Sequence, residues 1–169
     1  MRLQDLKTNN NRRIIDKQAV TKVLVIEDNI TELETLESLL EAHGFSPTCA
    51  KNAKEGIIKA MDTTFDIALI DINLPDGNGL DLLKMFSVHY KHMINIILTG
   101  NSSLEAAKTA TMFGAKGYLE KPFEFETLDR LMKKCLRKIE QLKDKKLARQ
   151  ALQRNKEEIK LMRKLYQPI

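Results

Sequence analysis

Residues 68–83 read ALIDINLPDGNGLDLL: an apolar run, a single aspartate, a loop rich in proline and glycine, and a second apolar run. Two more apolar runs, Val23–Ile26 and Ile94–Leu98, lie on either side of it along the chain. A strand with one face in solvent alternates apolar and polar residues, whereas a parallel sheet covered by helices on both faces gives near-continuous apolar runs. We therefore predict buried parallel strands at Val23–Ile26, Ile67–Ile70 and Ile94–Leu98.

The segments between these runs predict an alternation of strands and helices. Two weaker strands fit at Phe45–Ala50 and Ala115–Leu119. Three helices begin with a capping pair, an oxygen-bearing residue followed three positions later by glutamate. The pairs and helices are Asn29 with Glu32 (or Thr31 with Glu34) for 30–43, Asn52 with Glu55 for 52–61, and Ser102 with Glu105 for 102–113. Further helices follow Gly79 and Glu124, so the pattern is (βα)₅, an α/β fold with a doubly wound, parallel five-stranded sheet.

The charge of the 169-residue chain is divided among three segments. Residues 1–20 carry 5 basic and 2 acidic side chains, and we expect a flexible basic N-terminal arm there. Residues 21–127 have a net charge of −7, whereas residues 128–169 carry 14 basic and 5 acidic side chains. No apolar run approaches the about 20 residues of a membrane span, and no secretory signal is recognisable, so we expect a cytoplasmic protein without a membrane partner.

Residues with chemical function stand at the carboxyl ends of the predicted strands. Glu27 and Asp28 end the first, Asp71 the third and Thr99 the fourth, while Lys121 follows the fifth. Taken singly, each of these residues could have a purely structural role as a helix cap, a turn residue or a surface charge. Together they stand at the carboxyl ends of the strands, where open α/β sheets bind ligands. Three clustered carboxylates suit Mg²⁺, and a lysine with a hydroxyl donor suits phosphate. The set predicts phosphoryl transfer with Asp71 as nucleophile.

The segments VLVIEDN, ALIDINLPDGNGLDLL, IILTGN and GYLEKPF resemble the receiver domain of two-component response regulators, over roughly residues 21–139. The resemblance implies the flavodoxin-like and CheY-like strand order 2-1-3-4-5. It implies that Asp71 accepts a phosphoryl group from a partner histidine kinase or histidine phosphotransfer protein. It also implies that Glu27, Asp28 and Asp71 hold Mg²⁺ together with the backbone carbonyl of Asn73.

The resemblance assigns further roles around the phosphoryl group. Thr99 and Lys121 would contact it, and Thr99 and Tyr118 would form the conformational switch. The positions that tune the lifetime of the phosphoryl group would be Asn73, Gly100 and Asn101. The Lys121–Pro122 peptide bond would be cis. Such a domain is a signalling phosphoacceptor that catalyses only its own phosphorylation and dephosphorylation, so we do not expect a conventional enzyme.

Residues 140–169 are too short for a winged helix or a catalytic output domain and show no glycine-bearing helix-turn-helix turn. We predict one continuous basic helix there instead. A first set of heptad positions is mostly apolar: Leu128, Met132, Cys135, Ile139 and Leu142. The next two positions of this set are charged, Lys146 and Arg149, which interrupts the pattern. A second set then begins with a different phase: Leu152, Asn155, Ile159, Met162 and Tyr166. A coiled-coil homodimer through this helix is therefore one hypothesis.

The sequence is consistent with three hypotheses for how the domain passes on its signal. We favour protein–protein signalling in a phosphorelay. The alternatives are a phosphorylation-controlled nucleic-acid-binding regulator that uses the basic tail, although no groove-reading motif favours DNA, and a receiver fragment of a longer regulator. A phosphohydrolase is disfavoured because Asn73 stands where an acid–base carboxylate is expected.

Overall fold

The computed structural model describes residues 20–100 and 103–165. The strands are β1 (Lys22–Ile26), β2 (Ser46–Ala50), β3 (Ile67–Asp71), β4 (Asn73–Leu74), β5 (Gly77–Asn78), β6 (Ile94–Thr99) and β7 (Gly117–Glu120). Five of them form one parallel sheet in the order β2-β1-β3-β6-β7, and β4 and β5 form a separate antiparallel hairpin. Counted within the main sheet alone, the order is 2-1-3-4-5, which confirms the predicted arrangement.

Helices alternate with the strands of the main sheet. They are α1 (Ile30–Ala42), α2 (Ala53–Asp62), α3 (Gly79–His89), α4 (Leu104–Met112) and α5 (Phe125–Leu165). Gly44 and Gly114 lie just beyond α1 and α4 with φ angles of 82° and 99°. This left-handed conformation suits glycine and ends both helices where the sequence predicts.

Two predicted capping pairs are confirmed. Asn29 Oδ1 accepts hydrogen bonds from the backbone N–H groups of Thr31 (3.1 Å) and Glu32 (3.3 Å). Asn52 Oδ1 accepts one from the N–H of Glu55 at 2.8 Å. These side chains satisfy donors that have no partner within the first turn of a helix.

The predicted third cap, Ser102, is wrong. The N-cap of α4 is Ser103, whose Oγ accepts a hydrogen bond from the N–H of Ala106 at 3.0 Å. The spacing from Ser102 to Glu105 fits a capping box, but two adjacent serines offer two competing starts. In the structure Glu105 lies in the first turn, where its negative charge faces the positive end of the helix dipole.

The core lies on both faces of the sheet. All five residues of β3 are buried, as its continuous apolar run predicts. One face packs against α1 and α5 through residues that include Leu36, Leu40, Leu128 and Met132. The other packs against α2, α3 and α4 through residues that include Ala60, Leu83, Phe86 and Ala110. With both faces covered by helices, the edge at which the strands end is where an open α/β sheet binds ligands.

Helix α5 continues without a break for 41 residues, about 61 Å at a rise of about 1.5 Å per residue. Leu128 and Met132 are fully buried in the core, so these two residues of the first heptad phase belong to the domain and not to a dimer seam. Leu147, Leu152 and Ile159 are each more than half exposed. Across the described ranges, no helix has the length and apolar character needed to cross a membrane.

Candidate functional site

Three carboxylates meet at the ends of the two central strands. Ile26 of β1 pairs in register with Ile70 of β3, so that Glu27 and Asp28 stand beside Asp71. One carboxylate oxygen from each lies within 4.8 Å of the other two. Glu27 and Asp71 are only 1% and 6% exposed, whereas Asp28 lies at the surface. The site is therefore a carboxylate cluster with one open side.

Lys121 reaches into this cluster from the loop after β7. Its Nζ lies 3.1 Å from Asp71 Oδ2 and 2.7 Å from Glu32 Oε2, and it also forms a close ion pair with Glu27. Burial lowers the pKa of Lys121, but its hydrogen bonds to Glu27, Glu32 and Asp71 and the negative charge of Glu27 together outweigh burial and hold that pKa above the ordinary value. Burial raises the pKa of Glu27, and the ammonium of Lys121 works against that rise. The ammonium of Lys121 and the carboxylate of Glu27 thus stabilise each other in the charged form.

Other predicted residues that the structure describes lie on β6, on β7 and in the loops that follow these strands. Thr99, the last residue of β6, is 1% exposed, and its carbonyl accepts a hydrogen bond from the N–H of Lys121 at 2.7 Å. Gly100 beyond it is exposed, and Asn101 lies outside the described residues. Tyr118 on β7 is half-buried, and its hydroxyl is buried with no hydrogen-bond partner in the described part of the chain. The Lys121–Pro122 peptide bond is cis.

The loop after Asp71 folds back against it. The N–H of Asn73 donates to Asp71 Oδ1 at 3.3 Å, and the N–H of Gly79 donates to the carbonyl of Ile72 at 2.8 Å. A Cβ at position 79 would lie 2.0 Å from the carbonyl oxygen of Asp71. Only glycine fits there, because the start of α3 passes directly over the backbone of Asp71.

Sequence reasoning did not find two residues of this region. The sequence indicates Glu32 only as a capping partner, yet its carboxylate also binds Lys121. Its position one turn after Asp28 was the available signal, since this places it at the same edge of the sheet. The sequence indicates Asp76 only as a loop residue, yet it accepts hydrogen bonds from the first turn of α2.

An apolar groove of about 510 Å³ opens beside Lys121. It runs between α1 and the segment that leads into α5, and its apolar lining consists of Leu36, Leu39, Pro122, Phe123 and Phe125. The groove is next to the carboxylate cluster, so a molecule that entered it would have one end close to Lys121.

The carboxylate cluster fits Mg²⁺. Its three side chains offer hard oxygen donors, which Mg²⁺ prefers, and the exposed side at Asp28 leaves room for the water ligands that this ion usually keeps. A cation would also reduce the repulsion among carboxylates held within 4.8 Å of one another.

A family model for the response regulator receiver domain matches residues 23–133, which include every strand of the main sheet except the first residue of β1. The chain belongs to this family. Receiver domains are phosphoacceptor signalling domains that bind Mg²⁺ at an acidic pocket. This chain has an acidic cluster at the carboxyl edge of its sheet, formed by Glu27, Asp28 and Asp71.

Related proteins agree with this assignment. The probable transcriptional regulatory protein SilR of Salmonella typhimurium is 35% identical over 117 residues, 69% of this chain and 51% of that protein. The cell cycle transcriptional regulator CtrA of Caulobacter vibrioides is 32% identical over 102 residues, 60% of this chain and 44% of that protein. The chain thus spans about half the length of these relatives.

A CheY-like receiver domain protein of Methanospirillum hungatei has the same fold. It superposes with a TM-score of 0.69 at 31% identity, covering 73% of this chain and 98% of that one. The shared part is thus one whole receiver domain.

Proposed function

We propose that Asp71 accepts a phosphoryl group from a phosphohistidine of a partner histidine kinase or histidine phosphotransfer protein, in a Mg²⁺-dependent reaction. The observation that carries this proposal is the position of the Lys121 ammonium, 3.1 Å from Asp71 Oδ2, beside a carboxylate cluster that fits a divalent cation. A nucleophile, a fixed positive charge and a cation site at one strand edge are the parts that phosphoryl transfer requires.

The residues have distinct roles in this reaction. An oxygen of Asp71 forms the new bond to phosphorus, the bond from phosphorus to the histidine nitrogen breaks, and that nitrogen keeps the electron pair and is then protonated. Lys121 stabilises negative charge on the phosphoryl oxygens, and Thr99 offers a hydroxyl donor. Mg²⁺, held by Glu27, Asp28, Asp71 and the carbonyl of Asn73, supplies further charge neutralisation when bound.

We infer that the new phosphoryl group changes the output face through Thr99 and Tyr118. Contacts of the dianion with a hydroxyl and an ammonium favour one of two conformations. The buried Tyr118 hydroxyl, which has no partner in the described ranges, supports a second position for this ring, because a buried donor without a partner is costly. Asn73, Gly100 and Asn101 remain our prediction for the residues that set phosphoryl lifetime.

The output we propose is protein–protein signalling in a phosphorelay. The apolar groove beside Lys121 supports docking of the phosphodonor protein, since it leads to the phosphoacceptor. Homodimerisation through α5 remains a prediction; it would use Leu152 and Ile159, which are exposed on the extension. Light scattering before and after phosphorylation tests it, and a monomer in both states would contradict it.

A nucleic-acid-binding regulator is the second candidate. Two observations favour it: SilR and CtrA are named as transcriptional regulators, and the extension of α5 is basic and exposed. If α5 binds phosphates, affinity for duplex DNA falls steeply with salt, and Lys145→Glu with Arg149→Glu weakens it. Binding that is equal in this double variant and the wild type would eliminate the basic extension as the DNA contact.

The first experiment on the main proposal is intact mass spectrometry after incubation with a small acyl phosphate, with and without Mg²⁺. We expect one Mg²⁺-dependent phosphoryl adduct in the wild type and none in Asp71→Asn. Asp62→Asn is the matched control, because Asp62 is an exposed aspartate at the far end of α2. An adduct that persists in Asp71→Asn would show that another residue is the acceptor.

A further inference from the structure

Asp76 connects the loop after the phosphoacceptor to a different helix. It lies at the turn of the β4–β5 hairpin, exposed to solvent. Even so, both of its carboxylate oxygens are engaged: Oδ1 accepts from the N–H of Ala53 at 2.8 Å and Oδ2 from the N–H of Lys54 at 2.9 Å. These are the first two residues of α2, 23 and 22 positions earlier in the chain.

The hairpin is held at its base as well as at its tip. At the base, Gly79 donates to the carbonyl of Ile72, and Asn73 pairs with Asn78. Leu74 is buried in the core between these points and the tip. Asn73 is therefore the first residue of a short loop whose far end is fixed by Asp76.

The helix to which Asp76 is fastened is itself firmly placed. Gly56 allows α2 to lie directly on β1, since a Cβ there would be 2.6 Å from Ile26 Cδ1. Ile26 is the residue before Glu27. The hydrogen bonds from Lys54 and Ala53 lower the pKa of Asp76, as expected for a carboxylate held at the positive end of a helix.

We propose that Asp76 is a positioning residue that fixes the backbone of Asn73 for Mg²⁺ binding by fastening the hairpin tip to the first turn of α2. This inference rests on the proposed function, in which the Asn73 carbonyl is a ligand of the ion. Asp76 does not touch the ion or the phosphoryl group. It acts by restricting the loop, so that the carbonyl is already in place when the cation arrives.

The coupling must work in both directions. If fastening Asp76 to α2 favours Mg²⁺ binding, then Mg²⁺ binding favours the fastened state to the same extent. The amide protons of Ala53 and Lys54 therefore exchange more slowly when Mg²⁺ is added. The amide of Glu55 is an internal control, because Asn52 caps it without any contact to the hairpin.

The test compares full-length wild type, Asp76→Ala, Asp76→Asn and Asn52→Ala. Asn52→Ala is the matched control, since it removes a hydrogen bond at the same end of α2 but leaves the hairpin tip attached. Calorimetric titration with MgCl₂ gives the affinity, and thermal melting gives the stability. We expect both alanine variants to lose a few degrees of Tm. Of the two alanine variants, only Asp76→Ala should weaken Mg²⁺ binding, by about tenfold. Asp76→Asn keeps one acceptor oxygen, so its Mg²⁺ affinity should lie between those of Asp76→Ala and the wild type.

Hydrogen exchange with Mg²⁺ alone provides the second readout. We expect slower exchange at Ala53 and Lys54 in the wild type and no such change in Asp76→Ala. Equal Mg²⁺ affinity in Asp76→Ala and Asn52→Ala would overturn the positioning role while leaving the proposed function intact. A wild type that binds no Mg²⁺ would overturn the metal-dependent function, and the positioning role with it.

Discussion

Gly79→Ala tests the close contact between α3 and β3, the strand that ends at Asp71. The added methyl group would lie 2.0 Å from the carbonyl oxygen of Asp71 and 2.8 Å from its carbonyl carbon. Both opposing atoms belong to the backbone, so no side-chain rotation can relieve the clash. The start of α3 and the end of β3 must instead separate by about 1 Å, which also disrupts the hydrogen bond from Gly79 to Ile72.

The magnitude follows from these two losses. Overpacking against backbone costs about 2 kcal/mol and the hydrogen bond about 1 kcal/mol, which gives a loss of about 3 kcal/mol in the free energy of unfolding. For a chain of this size, that corresponds to a fall in Tm of roughly 6–12 °C. Because the displaced atoms include the backbone of Asp71, we also expect slower formation of the phosphoryl adduct.

The assay is thermal unfolding followed by circular dichroism, with adduct formation measured by intact mass at a temperature where both proteins are folded. Gly77→Ala is the control, because a Cβ at Gly77 meets nothing within 4 Å. It should melt no lower than the wild type, since the substitution only restricts the unfolded chain. Melting of the two variants within about 2 °C of each other would refute the steric argument. If Gly79→Ala is destabilised but is phosphorylated at the wild-type rate, the added methyl group has displaced the start of α3 and not the backbone of Asp71.

Three more outcomes follow from the structure. Lys121→Met leaves Glu27 buried without its positively charged partner, so we expect the free energy of unfolding to fall by about 3 kcal/mol. Adding Mg²⁺ should then raise the Tm of this variant more than that of the wild type, and an equal rise in both would contradict the prediction. Burial raises the pKa of Cys49 from 9.0 to about 12, so little of the thiol is ionised at pH 8. Iodoacetamide should therefore label Cys49 roughly a thousandfold more slowly in the folded protein than in urea, a difference that peptide mapping measures. Comparable labelling rates would show that the thiol is accessible and ionised. Ser103→Ala removes the cap of α4 and should lower the free energy of unfolding by about 1 kcal/mol in a urea titration, whereas no change would place the cap elsewhere.

The main sheet was predictable because burial on both faces leaves a strong pattern. Three continuous apolar runs located β1, β3 and β6 to within one residue at each end. The β4–β5 hairpin was not predicted, since strands of two residues are too short to show any periodicity. The caps at Asn29 and Asn52 were found because a cap and its partners are close in sequence.

The candidate site was predictable for a topological reason. Glu27, Asp71 and Lys121 are far apart in the chain, but each stands at or just beyond the end of a parallel strand, and the ends of such strands meet at one edge. Asp76 has no such rule to identify it. Its partners lie 22 and 23 residues away, and only the folded position of the hairpin against α2 brings them together. For the same reason, the heptad pattern of α5 did not show that Leu128 and Met132 already belong to the domain core.

The charges of the site give a reason for a cation before phosphorylation. Glu27, Glu32 and Asp71 all pair with the ammonium of Lys121, and Asp28 adds a fourth carboxylate beside Glu27 and Asp71, so the formal charge of these five side chains is already negative. A phosphoryl group adds about −1.5 to −2 further charges, in a place where the low exposure of Glu27 and Asp71 makes repulsion strong. In the reaction we propose, Lys121 also gives up part of its contact with Glu27 in order to reach the phosphoryl oxygens. Both requirements are met when a divalent cation first neutralises the carboxylates, so Mg²⁺ dependence is expected from the charges of this chain as well as from its family.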